Sequence, residues 1–172
     1  MSHNKGERPD LYPPARSITS VGAVVVRDGG LLLGRLTYSP NRGRYLFPGG
    51  VVEPGEMPDD ALVREVREET GVTIRPLGIC AVLTAVYAGE THTYLLWRAE
   101  HVSGEPVADG VEIDDACFLP LDDLDGRTDV APHVFHVAAL LRGNGLACLT
   151  ASEELDPFPE PVAALTNWKL FD

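Results

Sequence analysis

Apolar residues along this chain occur in short blocks that glycine, proline and charged residues separate. The apolar stretch at 20–36 is interrupted by Asp28-Gly29-Gly30, a turn sequence that predicts a β-hairpin. Residues 72–88 and 91–102 are also rich in β-formers and predict two further strands. The remaining predicted elements are helices at 55–71 and 133–143 and a short strand at 117–121. Mixed strands with helices on opposite sides predict an α+β protein, an α/β/α sandwich with a mixed β-sheet between the helices.

The first predicted helix carries an unusual arrangement of carboxylates. Pro58 suits its first position and Gly71 suits its end. Glu65, Glu68 and Glu69 are spaced so that all three side chains lie on one side of the helix. Like charges at these spacings cost roughly 0.2–0.5 kcal/mol per pair, and the last turn of a helix also disfavours carboxylates. A solvated charged face is one interpretation, and a site for a divalent cation that prefers oxygen ligands is the other.

Composition and charge limit the classes of function. The chain has 172 residues, of which 44% are hydrophobic, enough for one compact domain. Its formal net charge of −12 argues against non-specific binding to nucleic acid or to acidic membranes. The sequence shows neither an apolar run of membrane-spanning length nor the apolar core of a signal peptide. Cys80, Cys117 and Cys148 lack CxxC spacing and are expected to be reduced thiols, which predicts a cytoplasmic protein.

Both ends of the chain differ from its middle. Residues 1–17 are polar and proline-rich and are predicted to form a flexible N-terminal arm. Residues 144–172 contain several prolines followed by an apolar end, and they are predicted to form a C-terminal extension of uncertain structure. The apolar end is a candidate surface for a partner subunit, so a homodimer is one expected assembly.

The residues around the charged helix carry a family resemblance. Gly50, Glu56 and the run Arg-Glu-Val-Arg-Glu-Glu-Thr-Gly-Val at 64–72 resemble the Nudix box at each of its fixed positions. The order of predicted elements over residues 18–143 also resembles a Nudix domain. The resemblance implies a metal-dependent hydrolase that cleaves the pyrophosphate linkage of a nucleoside diphosphate joined to another group. It also implies the Nudix form of the α/β/α sandwich.

The resemblance further implies roles for the residues of the box. Carboxylates and one backbone carbonyl would hold Mg²⁺ or Mn²⁺, with one carboxylate acting as general base. This ligand set comprises Gly50, Glu65, Glu68 and Glu69. Arg64 and Glu56 resemble the supporting pair of the family, in which the arginine orients the ligands and the glutamate steadies the junction of loop and helix. An ordinary surface ion pair is the alternative interpretation of these two residues.

Residues outside the box have both a functional and a structural interpretation. Arg35, Arg42 and Arg44 are candidates for binding substrate phosphates as forked donors, although solvated loop charges are favoured. His133 and His136 lie three residues apart on the second predicted helix. A packing or surface role is favoured for this pair because no partner cluster accompanies it.

The acidic loop at 107–121 is the candidate source of a further ligand. Many relatives in the family carry an additional acidic residue on the loop before a late strand. Asp114 is the first choice and Glu112 the second, either to bind a second metal or to orient the attacking water. A solvated acidic loop that takes no part in the reaction is the equally weighted alternative.

The sequence does not identify the substrate. An ADP-ribose-like sugar nucleotide is slightly favoured, and nucleoside triphosphates and dinucleoside polyphosphates are alternatives. A capped RNA is disfavoured because the acidic chain would repel its many phosphates. Neither the SQPWPFPxS-like pattern of NADH pyrophosphatases nor a clear coenzyme A motif is present. Two other classes stay open: a non-catalytic nucleotide-sensing Nudix module, and an isoprenoid-type isomerase that would use a cysteine such as Cys80 or Cys117 with a glutamate.

Overall fold

The computed structural model describes residues 17–38, 40–87, 89–143, 151–152 and 166–171. A 3₁₀ turn lies between the sixth strand and the second helix of the described chain. The elements in chain order are β1 (Ser17–Arg27), β2 (Gly30–Leu36), β3 (Tyr45–Leu46), α1 (Pro58–Thr70), β4 (Thr73–Tyr87), β5 (Glu90–Ser103), β6 (Ile113–Pro120), the 3₁₀ turn Leu121–Asp123, α2 (Pro132–Arg142), β7 (Ala151–Ser152) and β8 (Thr166–Phe171).

The predicted hairpin is formed by β1 and β2, which pair antiparallel with Val26 opposite Leu31. Its two turn residues both have positive φ, +50° at Asp28 and +77° at Gly29. Such angles belong to the tight turn whose twist matches that of the flanking strands, and aspartate and glycine tolerate them better than other residues do. Local turn chemistry therefore fixes this hairpin, as the sequence indicates.

The strands form one mixed sheet. Its order is β3-β2-β1-β5-β4-β8-β7, and β6 pairs with β2. Strands β1 and β5 run parallel. The other named strand pairs are antiparallel. The predicted mixed sheet is therefore confirmed, and backbone hydrogen bonds join β1 to the loop that leads into α1.

Side-chain alternation along β1 places the two helices on opposite faces of this sheet. Val21, Ala23 and Val25 pack in one buried cluster, whereas Val24 packs in another. The first cluster contains the buried apolar residues of α1, and the second contains those of α2. Because successive residues of a strand point to opposite faces, this division confirms the α/β/α sandwich.

The ends of the chain and one strand differ from the predictions made for them. Strand β6 occupies Ile113–Pro120, so it begins before the predicted start at residue 117. Within the C-terminal extension, β8 pairs with β4 of the same chain, and the homodimer stays a prediction. Residues 1–16, Cys148 and most of 144–172 lie outside the described residues. A search of the described helices finds none with the length and apolar character of a membrane span.

Candidate active site

The helix that carries the glutamates is held at its C-terminal end by the acidic loop. α1 begins at Pro58, its predicted first residue. The N–H of Val107 donates to the carbonyl of Thr70 (2.9 Å), and the N–H of Asp109 donates to the carbonyl of Glu69 (3.0 Å). The last carbonyls of a helix have no partner inside the helix, so this loop satisfies groups that would otherwise need water. The acidic loop is thereby fixed beside the carboxylates of α1.

A two-glycine loop lies against the same carboxylates. The N–H of Gly49 donates to Oε2 of Glu69 (2.8 Å). A β-carbon at Gly50 would lie 2.5 Å from the carboxylate carbon of Glu65, so glycine permits this close approach. The carbonyl of Gly50, a predicted metal ligand, accepts a hydrogen bond from the N–H of Val21 (2.8 Å). A carbonyl oxygen has two lone pairs, and this bond leaves one of them for a further partner.

The three glutamates share one side of α1, as their spacing predicts, but two of them are buried. Glu65 is 9% exposed and Glu69 is 3% exposed, whereas the side chain of Glu68 is 63% exposed. Burial raises the pKa of Glu69 to about 8, against the opposing hydrogen bond from Gly49, and the negative charges of Glu65 and Glu112 add to the rise. Burial also raises the pKa of Glu65. This environment disfavours negative charge, and a bound cation would relieve it.

Arg64 connects three glutamates. Its Nε and Nη2 donate to the two carboxylate oxygens of Glu56 at 2.8 and 2.9 Å. Its Nη1 lies 2.8 Å from Glu65 and 3.3 Å from Glu68. The bond from Arg64, together with the N–H of Glu53, lowers the pKa of Glu56 to about 2. The structure therefore brings the predicted supporting pair together in the forked geometry that orients a carboxylate most strictly.

The chemistry of these residues fits a divalent metal, although their side chains have protein partners in this structure. Within the described part of the chain, no three carboxylate, imidazole or thiol groups converge at the spacing of a metal site. Glu65 and Glu68 contact Arg64, and Glu69 accepts the loop N–H. All the predicted ligands are nevertheless oxygen donors, which Mg²⁺ and Mn²⁺ prefer. The assignment of a metal to Gly50, Glu65, Glu68 and Glu69 stays a prediction.

The two candidate ligands of the acidic loop, Asp114 and Glu112, have different surroundings in the structure. Asp114 forms an ion pair with Arg35 of the neighbouring strand (2.6 Å), and Asp115 accepts a hydrogen bond from the Tyr45 hydroxyl. The negative charge of Glu112 instead contributes to the raised pKa values of both buried glutamates. β6 begins directly after Glu112 and carries Asp114 onto the sheet, and the assignment of a further ligand to Asp114 or Glu112 stays a prediction.

A cavity of about 290 Å³ opens beside the glycine loop and the buried end of the box. Arg35, Arg42 and Arg44 are all described by the structure, and none of them lines it. Arg35 pairs with Asp114, and a role of Arg35, Arg42 or Arg44 in binding substrate phosphates stays a prediction. Residues that do line the cavity include Tyr38, Asn41, Phe47, Glu69, Tyr94 and His133.

His133 is a cavity residue for which sequence reasoning favoured a packing or surface role. It is 5% exposed and packs against Phe47 and Tyr94, with ring centroids 5.8 and 6.1 Å away. Burial lowers the pKa of His133 to about 4, so its imidazole is neutral near pH 7. The signal in the sequence is a polar ring in a largely apolar helix, and that pattern does not distinguish packing from binding.

Comparison with known proteins agrees with the box and the fold. Residues 16–141 match the model of the NUDIX domain. The NAD-capped RNA hydrolase NudC of Stutzerimonas stutzeri is 36% identical over 133 residues, which cover 72% of this chain and 46% of that protein. The 8-oxo-dGTP diphosphatase of Escherichia coli is 38% identical over 60 residues, which cover 35% of this chain and 46% of that protein. The chain thus spans less than half the length of these curated relatives.

Solved structures give the same result. A MutT NUDIX hydrolase from Burkholderia pseudomallei has a TM-score of 0.61 and 28% identity, over 72% of this chain and 95% of that one. The MutT protein from Methanosarcina mazei has a TM-score of 0.63 and 25% identity, over 77% of this chain and 99% of that one. The family model covers most of the chain, and the box residues occupy the helix and loop that the motif requires. The chain belongs to the Nudix hydrolase family.

Proposed function

We propose that this protein hydrolyses the pyrophosphate linkage of a small nucleoside diphosphate derivative, with an ADP-ribose-like sugar nucleotide as the favoured substrate. The observation that carries the proposal is the meeting of two buried carboxylates, Glu65 and Glu69, with the Gly49-Gly50 loop, beside a cavity that the loop and Glu69 line. A pyrophosphate brings negative charge to this point and an organic group that the cavity can enclose.

A divalent cation, Mg²⁺ or Mn²⁺, belongs to the proposal. Glu65, Glu68, Glu69 and the Gly50 carbonyl would hold it, and when bound it would neutralise phosphate oxygens and lower the pKa of a water molecule. Arg64 keeps the carboxylates in position through its bonds to Glu56 and Glu65. One carboxylate of the set accepts the proton of the attacking water, which is the general-base role in this hydrolysis.

The preference for a small substrate is supported by charge. The formal net charge of −12 would repel a long polyphosphate chain, whereas a single pyrophosphate needs only local neutralisation. Some relatives carry names that point elsewhere, to NAD-capped RNA and to 8-oxo-dGTP. Both types of substrate therefore enter the test as competitors of ADP-ribose.

The isomerase alternative is disfavoured by the two described thiols. Burial raises the pKa of Cys80 to about 11, and its Sγ donates to the carbonyl of Leu96 (3.4 Å). Burial also raises the pKa of Cys117. A reactive cysteine needs a lowered pKa and access to substrate, so neither thiol is suited to the chemistry of an isomerase.

The test is a substrate panel incubated with Mg²⁺ or Mn²⁺, with products separated by chromatography. ADP-ribose, NAD, 8-oxo-dGTP, diadenosine tetraphosphate and a short NAD-capped RNA cover the competing classes. We expect AMP and ribose 5-phosphate from ADP-ribose at the highest kcat/KM, and a kcat roughly 10²–10³-fold lower with Glu69→Gln. Absence of metal-dependent turnover on every member would contradict the hydrolase. A higher kcat/KM on 8-oxo-dGTP or capped RNA than on ADP-ribose would show that the proposed substrate class is wrong.

A further inference from the structure

Two buried polar side chains that line the cavity carry hydrogen-bonding atoms without a partner among the described residues. Asn41 is 7% exposed, and its Oδ1 has no hydrogen-bond partner among the described residues. His133 is 5% exposed, and within the same part of the chain neither Nδ1 nor Nε2 has one. Both residues line the cavity. Buried polar groups are nearly always hydrogen-bonded, so two side chains with unsatisfied atoms in the lining of one cavity require an explanation.

The neighbours of these residues fix their positions without satisfying the polar atoms. The imidazole of His133 meets the Phe47 ring at an interplanar angle of 54° and the Tyr94 ring edge-on at 85°. The backbone carbonyl of Asn41 accepts the N–H of Arg44 (3.0 Å), which holds the turn that carries its side chain. Preorganised polar atoms among aromatic rings are typical of binding sites that distinguish ligands by the hydrogen-bonding groups at the edge of a planar ring.

We propose that Asn41 and His133 bind the edge of the adenine base of the substrate in this cavity and thereby determine which base the enzyme accepts. This inference rests on the proposed function for the identity of the ligand as an adenine nucleotide. The base then lies among Phe47, Tyr94 and His133, and its phosphates extend toward Gly49 and Glu69, which line the same cavity.

The hydrogen-bonding groups of adenine match the unsatisfied atoms. The amide oxygen of Asn41 is an acceptor, and the exocyclic amino group of adenine is a donor. Burial lowers the pKa of His133 to about 4, so near pH 7 the imidazole has one N–H donor and one acceptor nitrogen. Its N–H can donate to a ring nitrogen of the base. A ligand without the amino group leaves Asn41 unsatisfied and loses affinity for that reason.

The experiment measures equilibrium binding of nucleoside monophosphates to the full chain by calorimetry. AMP contains no pyrophosphate bond, so Mg²⁺ can be present without turnover. Purine riboside monophosphate lacks the amino group, and ribose 5-phosphate lacks the base. We expect AMP to bind about tenfold more tightly than purine riboside monophosphate, because the analogue leaves the buried acceptor of Asn41 without a partner. GMP, CMP and UMP complete the set, and all three are expected to bind more weakly than AMP.

Single substitutions test whether Asn41 and His133 cause the discrimination between AMP and its analogue. Asn41→Leu should bind AMP and purine riboside monophosphate equally, because the acceptor of the amino group is gone. His133→Phe should weaken AMP binding about tenfold, and His133→Gln, which keeps a donor and an acceptor, should recover part of it. His136→Phe changes a histidine one turn further along α2, outside the cavity lining, and should bind as the wild type does. Ribose 5-phosphate should bind equally to all the variants, and melting temperatures check that each one folds.

Several results would overturn the proposal that Asn41 and His133 bind the adenine base. These are equal binding of AMP and purine riboside monophosphate by the wild type, tighter binding of another base, retained discrimination in Asn41→Leu, or an equal loss in His136→Phe. The outcome is separable from the proposed function because binding of AMP requires no hydrolysis. If AMP is discriminated from the other ligands but no member of the substrate panel is hydrolysed, the proposed hydrolase activity is wrong and the adenine site stands. If the panel is hydrolysed but the bases are not discriminated, the adenine site is wrong and the hydrolase activity stands.

Discussion

Substitution of the adjacent glycines Gly49 and Gly50 by alanine is predicted to lower stability in the first case and catalytic rate in the second. In Gly50→Ala the new carbon would lie 2.5 Å from the carboxylate carbon of Glu65. Real β-carbons essentially never approach another heavy atom within 3.0 Å, so one of the two groups must move. The obstructing atoms are the far end of a side chain, so the carboxylate can move aside while the fold persists. That movement breaks its 2.8 Å contact with Arg64 and displaces it by an appreciable part of 1 Å. Misplacement of about 1 Å at a reacting centre costs roughly 10²-fold in rate.

Gly49→Ala meets backbone instead. Its new carbon would collide with the carbonyl oxygen of Val21 and lie 2.8 Å from the Cα of Gly22, both in the central strand β1. The φ of +150° at Gly49 is also unfavourable for alanine. Since neither obstacle can rotate away, we expect the free energy of unfolding to fall by at least about 2 kcal/mol, the sum of a clash and local backbone strain.

Urea unfolding and steady-state kinetics on the preferred substrate separate the two effects. Gly50→Ala should keep the unfolding midpoint and lose kcat, whereas Gly49→Ala should lose stability. Gly43→Ala is the matched control for backbone strain, because Gly43 has a φ of +77° and nothing within 4 Å of its added carbon. A Gly50→Ala protein with wild-type kcat, or a Gly49→Ala protein no less stable than Gly43→Ala, would refute this account of the glycine loop.

Four further predictions concern the carboxylates and the cavity histidine. Glu69→Gln should fold and lose roughly 10²–10³ in kcat at saturating Mg²⁺, and a near-normal rate would contradict its role. Millimolar Mg²⁺ or Mn²⁺ should raise the melting temperature of the wild type but not of the Glu68→Gln, Glu69→Gln double variant, and equal shifts would indicate a non-specific effect. Glu112→Gln should lower kcat more than Asp114→Asn, because the charge of Glu112 acts on the buried glutamates, and the opposite order would restore Asp114. The pKa of His133 is about 4 in the folded protein and near 6.5 when exposed, so the unfolded chain binds the proton first as pH falls. Burial of the neutral His133 imidazole therefore does not lower the free energy of unfolding above pH 6.5, and about 3 kcal/mol of that free energy is lost as the pH falls from 6.5 to 4. Urea unfolding across this range should show that loss in the wild type and not in His133→Phe, and parallel curves would refute it.

The features that the sequence predicts well depend on local chemistry. Asp28-Gly29 can adopt two successive positive φ angles, and this ability alone determines the first hairpin. The limits of α1 follow in the same way from Pro58 and Gly71. The shared side of the box glutamates follows from helical periodicity. Each of these depends on a few neighbouring residues, so distant parts of the chain do not change the outcome.

The features that were not predicted depend on contacts between distant segments. The burial of Glu69 needs the glycine loop on one side and the acidic loop on the helix end, which no spacing within α1 reveals. The pairing of Asp114 with Arg35 depends on where β6 begins, and a shift of strand register moves every side chain to the other face. His133 lines the cavity because α2 packs on the face of the sheet that also carries Phe47.

Two residues that line the cavity, Glu69 and His133, have different electrostatic surroundings, and the proposed function uses this difference to place the two halves of a nucleotide. Burial and neighbouring carboxylates raise the pKa of Glu69, so a cation and the substrate phosphates would bind most favourably beside Glu69. Burial alone keeps His133 uncharged near pH 7. A charged imidazole would compete with the metal for the same phosphates and carboxylates. A neutral one can discriminate between bases while the charged chemistry stays at the box.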